Sequence, residues 1–212
     1  MLNTIIFDYM GVLANVDYKK LLKQLPITDH IKALRLYCHS KKDEYLKVLF
    51  EGYQSGMMTS DEFSKFIIDK YPKIGGVVPK TLQLLPTCIS ENKPMVSLAK
   101  KLHDDGFKII LLSNSIPETQ ETIQNSSFVE FFDGFVLSNM VGAIKPNREI
   151  FDVACETYNI NPSDTLFVDD KQTNLNGAEE LKFKTMLGDN SKKFASRLGN
   201  LFYSRYEPEP NE

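Results

Sequence analysis

Short runs of β-branched and aromatic residues alternate with helical patterns over residues 1–14 and 94–205. Five of these runs predict strands: Thr4–Phe7, Lys108–Leu112, Phe135–Leu137, Thr165–Val168 and Lys184–Leu187. Most are apolar at nearly every position, as strands covered on both faces of a parallel sheet read. Between them apolar residues recur at helical spacing. Pro94 opens one helix, in which Met95, Leu98 and Leu102 precede a stop at Gly106. Pro146 opens another through Ile150, Phe151 and Ala154, up to the turn Asn161-Pro162, and a third runs from about Asn174 to Leu181. Strands alternating with helices predict βαβ units, and so an α/β fold with a doubly wound parallel sheet.

Residues 15–90 read differently. Val16–Leu25, His30–Tyr37, Tyr45–Glu51 and Ser60–Tyr71 all carry helical spacing, with no strand signal between them. The last opens on a capping box, Thr59-x-x-Glu62, followed by Phe63, Phe66 and Ile67 on one face. The stretch from Gly75 to Pro94, with two glycines and three prolines, reads as a return linker. The predicted organisation is a core of residues 1–14 and 91–206, an all-helical insertion of residues 15–90, and a disordered tail of residues 207–212. In open α/β sheets ligands bind beyond the carboxyl ends of the strands, so a helical block leaving the end of the first strand would cover that crevice as a lid. Tyr18, Tyr37, Tyr45, Phe50 and Tyr53 would line a pocket in it or, as helical spacing more often means, fill its core. Lys19, Lys20, Lys41 and Lys42 read as a solvated face.

Composition narrows the function classes. The 212 residues are 42% hydrophobic and 25% charged, a globular balance in a chain long enough for a sizeable core. Twenty-five Lys and Arg against 28 Asp and Glu give a net charge of −3, which speaks against a nucleic-acid partner. No apolar run nears the ~20 residues of a membrane span. The N-terminal MLNTIIFDYMG lacks the basic region and cleavage site of a signal peptide. Cys38, Cys88 and Cys155 form no CxxC pair, and His30, His39 and His103 no HExxH. Reduced thiols in a cytoplasmic protein without zinc are the expectation, in a monomer or a homodimer.

The chemistry gathers at the strand ends. Asp8 follows Ile5-Ile6-Phe7, with Gly11 three residues on, and Ser113-Asn114-Ser115 follows Leu111-Leu112. Lys145-Pro146 stands in the loop after the third core strand, and Asp169-Asp170 follows Phe167-Val168. In a parallel sheet these residues would meet at one rim. Any one alone would be an ordinary turn residue; four strand ends together point to a site. Asp8, Asp169 and Asp170 carry three negative charges when ionised, and close like charges raise one another's pKa. A hard divalent cation relieves this, and an all-oxygen donor set fits Mg2+. With Lys145 added the charges cancel, and such a site admits an anionic phosphate. The chain holds neither GxxxxGK[ST] nor GxGxxG, which excludes nucleotide cradles of those kinds.

These motifs in this order resemble the haloacid dehalogenase-like (HAD) hydrolase superfamily. Phe7-Asp8-Tyr9-Met10-Gly11-Val12-Leu13 is similar to its first motif, Leu112-Ser113-Asn114 to its second, Lys145-Pro146 to its third, and Asp169-Asp170 with Asn174 and Gly177 to its fourth. The helical insertion resembles the family's C1 cap. The resemblance implies a Rossmann-like core with that cap, and a hydrolase, first of all a Mg2+-dependent phosphatase acting on a small phosphorylated metabolite. It implies that Asp8 is the nucleophile, forming an aspartyl-phosphate that water cleaves. Ser113 would bond the phosphoryl group, assisted by Asn114 and backbone amides near Gly11, and Lys145 would hold nucleophile and phosphate. Asp8, Asp170, the main-chain carbonyl of Met10 and Asp169, directly or through water, would ligate the metal.

One residue departs from the pattern. Phosphatases of the family usually carry a second aspartate two residues after the nucleophile, as general acid and base, and here that residue is Met10. Losing acid–base help costs about 10²–10⁴-fold, roughly 3–5 kcal/mol of barrier. Three readings follow: a phosphatase using a good leaving group, a water or a lid residue such as Asp17, His39 or Tyr53; a halide-releasing enzyme, whose leaving group needs no proton; or a silent protein that binds a phosphorylated metabolite. The first is favoured, because the second leaves Asp169-Asp170 unexplained and the third leaves Asp8 unexplained.

Overall fold

The computed structural model describes residues 2–189, 191–204 and 206–207; of the tail expected to be disordered, residues 208–212 lie outside the described residues. In chain order the elements of the first half are β1 (Thr4–Phe7), β2 (Ala14–Val16), α1 (Tyr18–Gln24), α2 (Ile27–Ser40), α3 (Glu44–Gln54), α4 (Ser60–Lys70), α5 (Val78–Leu84), β3 (Ile89–Glu91) and α6 (Lys93–Asp104). The second half holds β4 (Lys108–Ser113), α7 (Gln120–Gln124), β5 (Gly134–Leu137), α8 (Ser138–Val141), α9 (Arg148–Tyr158), β6 (Thr165–Asp169), α10 (Gln172–Glu180), β7 (Lys184–Leu187) and α11 (Lys192–Gly199).

Five strands form one parallel sheet in the order β5-β4-β1-β6-β7. Its near-continuous apolar strands are explained by cover on both faces. Ile5, Phe7, Ile109, Leu111, Leu166 and Val168 point into one cluster with α6 and α11, while Ile6, Ile110, Leu112 and Phe167 point into another with α9 and α10. Each fully buried Ile, Leu or Phe contributes about 1.5–3 kcal/mol, so β1, with Ile5, Ile6 and Phe7 all at 0% exposure, anchors the fold.

The helices α1–α5 lie between β2 and β3, which pair antiparallel as a ribbon (Ala14 opposite Glu91, Val16 opposite Ile89). This ribbon departs from the sequence reading, which placed no strand there; three residues carry too short a pattern to register. The expected Gly75–Pro94 linker is also mostly structured, because Pro79 and Pro86 sit in the first turns of α5 and of a short 3-10 helix, where a missing N–H is harmless. Pro146, by contrast, precedes its helix, which starts at Arg148 behind Asn147. The Lys145-Pro146 peptide is cis.

Leu46, Leu49, Tyr53, Phe63, Ile67, Val78 and Leu82 form the core of the helical segment and meet Ile116 from the sheet side. Tyr53 is fully buried, whereas Tyr18, Tyr37, Tyr45 and Phe50 are exposed, so only one of the five aromatics fills the core as helical spacing suggested. Tyr37 and Phe50 border an apolar cavity of about 370 Å³ between α2, α3, α4 and α5, whose lining includes none of the strand-end residues. The segment touches down through α3: Tyr53 hydrogen-bonds Ser60 and Glu118, Gln54 Nε2 donates to Asn114 O at 3.3 Å, and Ser138 Oγ donates to Gln54 O at 2.6 Å. Among the described residues no helix is long and apolar enough to cross a membrane.

Candidate active site

β4, β1 and β6 are neighbours at the centre of the sheet, and β1 sits where the winding changes direction, so their carboxyl ends open the crevice typical of such folds. Phe7 pairs with Leu111 and Val168, which puts Asp8 level with Leu112 and Asp169, one step beyond the last paired residues of β1. Asp8 N donates to Val168 O at 2.9 Å, fixing the start of the loop. One carboxylate oxygen from each of Asp8, Asp169 and Asp170 lies within 4.8 Å of the others, which brings together the carboxylates expected at the rim.

Lys145 enters this cluster from the loop after α8. Its Nζ donates to Asp8 Oδ1 and Asp169 Oδ2, both at 2.7 Å, and to Leu112 O at 2.8 Å. All three ammonium protons are thus used, which a buried charge requires. Burial depresses the Lys145 pKa, but attraction to Asp8 and Asp169 outweighs it and holds the value above that of an ordinary lysine. Burial pushes the Asp8 carboxyl up, Lys145 opposes this, Asp169 adds to it, and the result is about 6. Asp170, exposed at the rim, is also raised, first by desolvation and then by Asp169.

The two members of the acidic pair have different surroundings. Asp169 is fully buried; Oδ1 accepts from Lys171 N at 2.8 Å, Oδ2 from Lys145, and Asn174 Nδ2 lies 3.0 Å from each oxygen. Among the described residues Asp170 forms no ion pair, and Asp8 Oδ2 accepts no hydrogen bond. Three carboxylates gathered within 4.8 Å of one another, on a cluster with net charge −2 once Lys145 is counted, suit a hard divalent cation, so the residues present fit Mg2+.

Several expected site residues are engaged in unexpected ways. Gly11 has φ +88, its N–H donates to Ala14 O at 2.8 Å, and a Cβ there would overlap the Asp170 carboxylate. Its amide is therefore engaged by Ala14, and its value to the site is the room it leaves for Asp170. The Asn114 side chain bonds both main-chain polar groups of Lys145, Oδ1 accepting from N at 2.8 Å and Nδ2 donating to O at 2.9 Å. Ser113 ends β4, buried, and among the described residues its hydroxyl has no partner. Met10 packs its side chain against the cluster that holds Phe7 and Tyr9.

None of the three lid candidates is poised as an acid. Asp17 caps α1 by accepting from Lys20 N, His39 bonds Arg35 O and leans edge-on against Tyr71, and Tyr53 is tied to Ser60 and Glu118, its pKa raised by burial and then by Glu118. The sequence places Asn174 in the fourth motif beside Asp169 but does not reveal that it bonds Asp169, nor that Leu112 O is the third acceptor on Lys145. Asn174 carried a signal, standing five residues after Asp169 on the first turn of α10.

Comparison with known proteins agrees with this geometry. The sequence profile described as "Hydrolase: haloacid dehalogenase-like hydrolase" matches residues 2–181. The chain belongs to the haloacid dehalogenase-like hydrolases. Within this HAD family it is 25% identical over 217 residues to the D-ribitol-5-phosphate phosphatase of Bacteroides thetaiotaomicron, covering 93% of this chain and 97% of the relative. It is 22% identical over 190 residues to (S)-2-haloacid dehalogenase 4A of Burkholderia cepacia, covering 87% and 82%. A HAD-family enzyme of B. thetaiotaomicron, solved in complex with magnesium and inorganic phosphate, superposes with a TM-score of 0.69 at 23% identity, over 88% of this chain and 94% of that one. The fold is thus that of HAD enzymes, with a Rossmann-like core, and the chain is a hydrolase.

Proposed function

We propose that this HAD hydrolase is a Mg2+-dependent phosphatase of a small phosphorylated metabolite, working through an aspartyl-phosphate on Asp8. The observation that carries the reading is the single ammonium of Lys145 bridging Asp8 Oδ1 and Asp169 Oδ2, with Asp8 Oδ2 left without a protein donor. An ionised carboxylate held in this way keeps its orientation and presents a free oxygen to phosphorus. The phosphatase name of one relative that matches nearly end to end, and the phosphate complex of a structural neighbour, support the same choice.

In this reading Asp8, Asp170 and the main-chain carbonyl of Met10 would hold the metal, and Asp169 steadies Lys145 and Asn174 from behind. When bound, Mg2+ neutralises charge on the phosphoryl oxygens. Asp8 attacks phosphorus as the phosphorus–ester oxygen bond breaks, the alkoxide leaves and takes its proton from water, and a second water then attacks phosphorus, releasing inorganic phosphate and restoring the Asp8 carboxylate. Ser113 donates its unpartnered hydroxyl to the phosphoryl group, and Lys145 balances the charge. The helices of residues 15–90 act as a C1-type cap on the core of residues 1–14 and 91–206, a role supported by the bonds of Tyr53 to Glu118 and of Gln54 to Asn114. Met10 gives no proton to the leaving group, so esters of acidic alcohols are turned over best. A cytoplasmic setting accords with Cys38, Cys88 and Cys155, all free.

A halide-releasing reaction is the second reading, favoured by one observation: Met10, partly buried against the core, offers no proton, and a halide leaves without one. Hydrolysis of p-nitrophenyl phosphate by wild type and Asp8→Asn, with and without Mg2+, tests the choice. Turnover that needs both Asp8 and Mg2+ supports the phosphatase. Chloride release from a 2-haloacid, with no phosphate release, overturns it.

A further inference from the structure

Lys145 is held at both ends. Its head meets Asp8, Asp169 and Leu112 O, while its main chain is closed into a ring with one side-chain amide, that of Asn114. Four methylenes separate the two ends, so fixing the backbone end narrows where the head can lie and favours its contacts to both carboxylates at 2.7 Å. An amide supplies what this needs, an acceptor for Lys145 N beside a donor for Lys145 O. A carboxylate would set an oxygen against Lys145 O, and alanine would leave both groups, which lie in a part-buried place, without partners.

We propose that Asn114 is a positioning residue that acts on the reaction through Lys145 and does not contact the phosphoryl group. The inference rests on the phosphatase reading and reassigns a residue that family resemblance places on the substrate. The clamp also lies where α3 touches down, since Asn114 O accepts from Gln54. One N–H of Asn114 Nδ2 remains, and a direct bond from it to phosphate is the competing arrangement.

A double-mutant cycle separates the two. Affinity for inorganic phosphate in saturating Mg2+ is measured by calorimetry on the full chain as wild type, Asn114→Ala, Lys145→Met and the double variant. The expected result is a loss of about 10-fold or more on Asn114→Ala in the Lys145 background, in the range seen when groups that orient a ligand are removed, and under about 2-fold in the Met background. Equal losses in both backgrounds, or none in the first, overturn the proposal. Asn114→Asp gives a second arm that does not depend on Lys145→Met folding. A positioning role predicts phosphate affinity within about 3-fold of Asn114→Ala, whereas a direct contact predicts a much larger loss, because a carboxylate would then face the anion. A wild-type protein that binds no phosphate overturns the phosphatase reading as well, and is recognised before any variant is made.

Discussion

Gly11 and Asp170 stand so close that no side chain fits between them, and Gly11 also has the left-handed backbone, φ +88, that glycine tolerates best. Gly11→Ala therefore strains the loop and displaces the carboxylate together. We expect a stability loss of about 1–3 kcal/mol and a fall in Mg2+ affinity of about 10–100-fold. Urea unfolding without metal and calorimetric Mg2+ titration read the two effects separately. Unchanged metal affinity would show that Asp170 is not a ligand.

Removing the ammonium should be costlier. In Lys145→Met, Asp8 and Asp169 remain buried without a cation, and breaking a buried pair in this way costs about 3–5 kcal/mol. Mg2+ supplies positive charge beside the same carboxylates, so the urea midpoint of the variant should recover more on adding Mg2+ than that of wild type. A variant as stable as wild type at pH 7 would contradict the charge argument.

The raised Asp8 carboxyl sets a pH dependence with a definite sign. Burial pushes the carboxyl of folded Asp8 up to about 6 from an ordinary value of 3.8. Between those values the folded state binds the extra proton, so this group's contribution to stability declines as pH rises from about 4 to about 6. In the metal-free protein, the stability of wild type relative to Asp8→Asn should fall by on the order of 2 kcal/mol across that window. Mg2+ competes with the same proton, so its affinity should weaken as pH drops below about 6. A stability difference flat with pH would refute the assignment.

Met10 offers a test by gain. Met10→Asp restores an ionisable group two residues after the nucleophile, and general acid help is worth about 10²–10⁴-fold. The gain should be largest for alkyl phosphates, whose alkoxide leaves poorly, and small for p-nitrophenyl phosphate. Steady-state kcat/KM on both esters decides it, and equal gains would mean that proton transfer is not what Met10 lacks.

The sheet was legible because its strands are apolar at almost every position, and the rim because Asp8, Ser113 and Asp169 end three of those strands. Spacing reveals residue types at strand ends but not which atoms meet, so the Asn114 ring on Lys145 and the saturation of Asp169 by Lys171 and Asn174 could not be read. The β2/β3 ribbon escaped because three residues a side hold little pattern, and its stability comes from partners such as Asn92, whose Nδ2 donates to Val12 O at 2.8 Å. Pro79 and Pro86 misled because proline breaks a helix in its interior and favours one at its start. The exposed Ile27, Ile31 and Leu34 of α2 show that an apolar stripe at helical spacing need not face inward.

The ribbon has one more implication. Ala14 and Glu91 are neighbours across it, so the chain departs for the helices and comes home at almost the same place. The chain of residues 17–88 enters and leaves at this one doorway, but Tyr53 and Gln54 also fasten it to Glu118, Asn114 and Ser138, so a replacement of different sequence or length must supply those contacts too. A transplant that keeps those three footholds is expected to leave Asp8, Lys145 and Asp169 in their present arrangement, which a comparison of p-nitrophenyl phosphate turnover before and after the exchange would check.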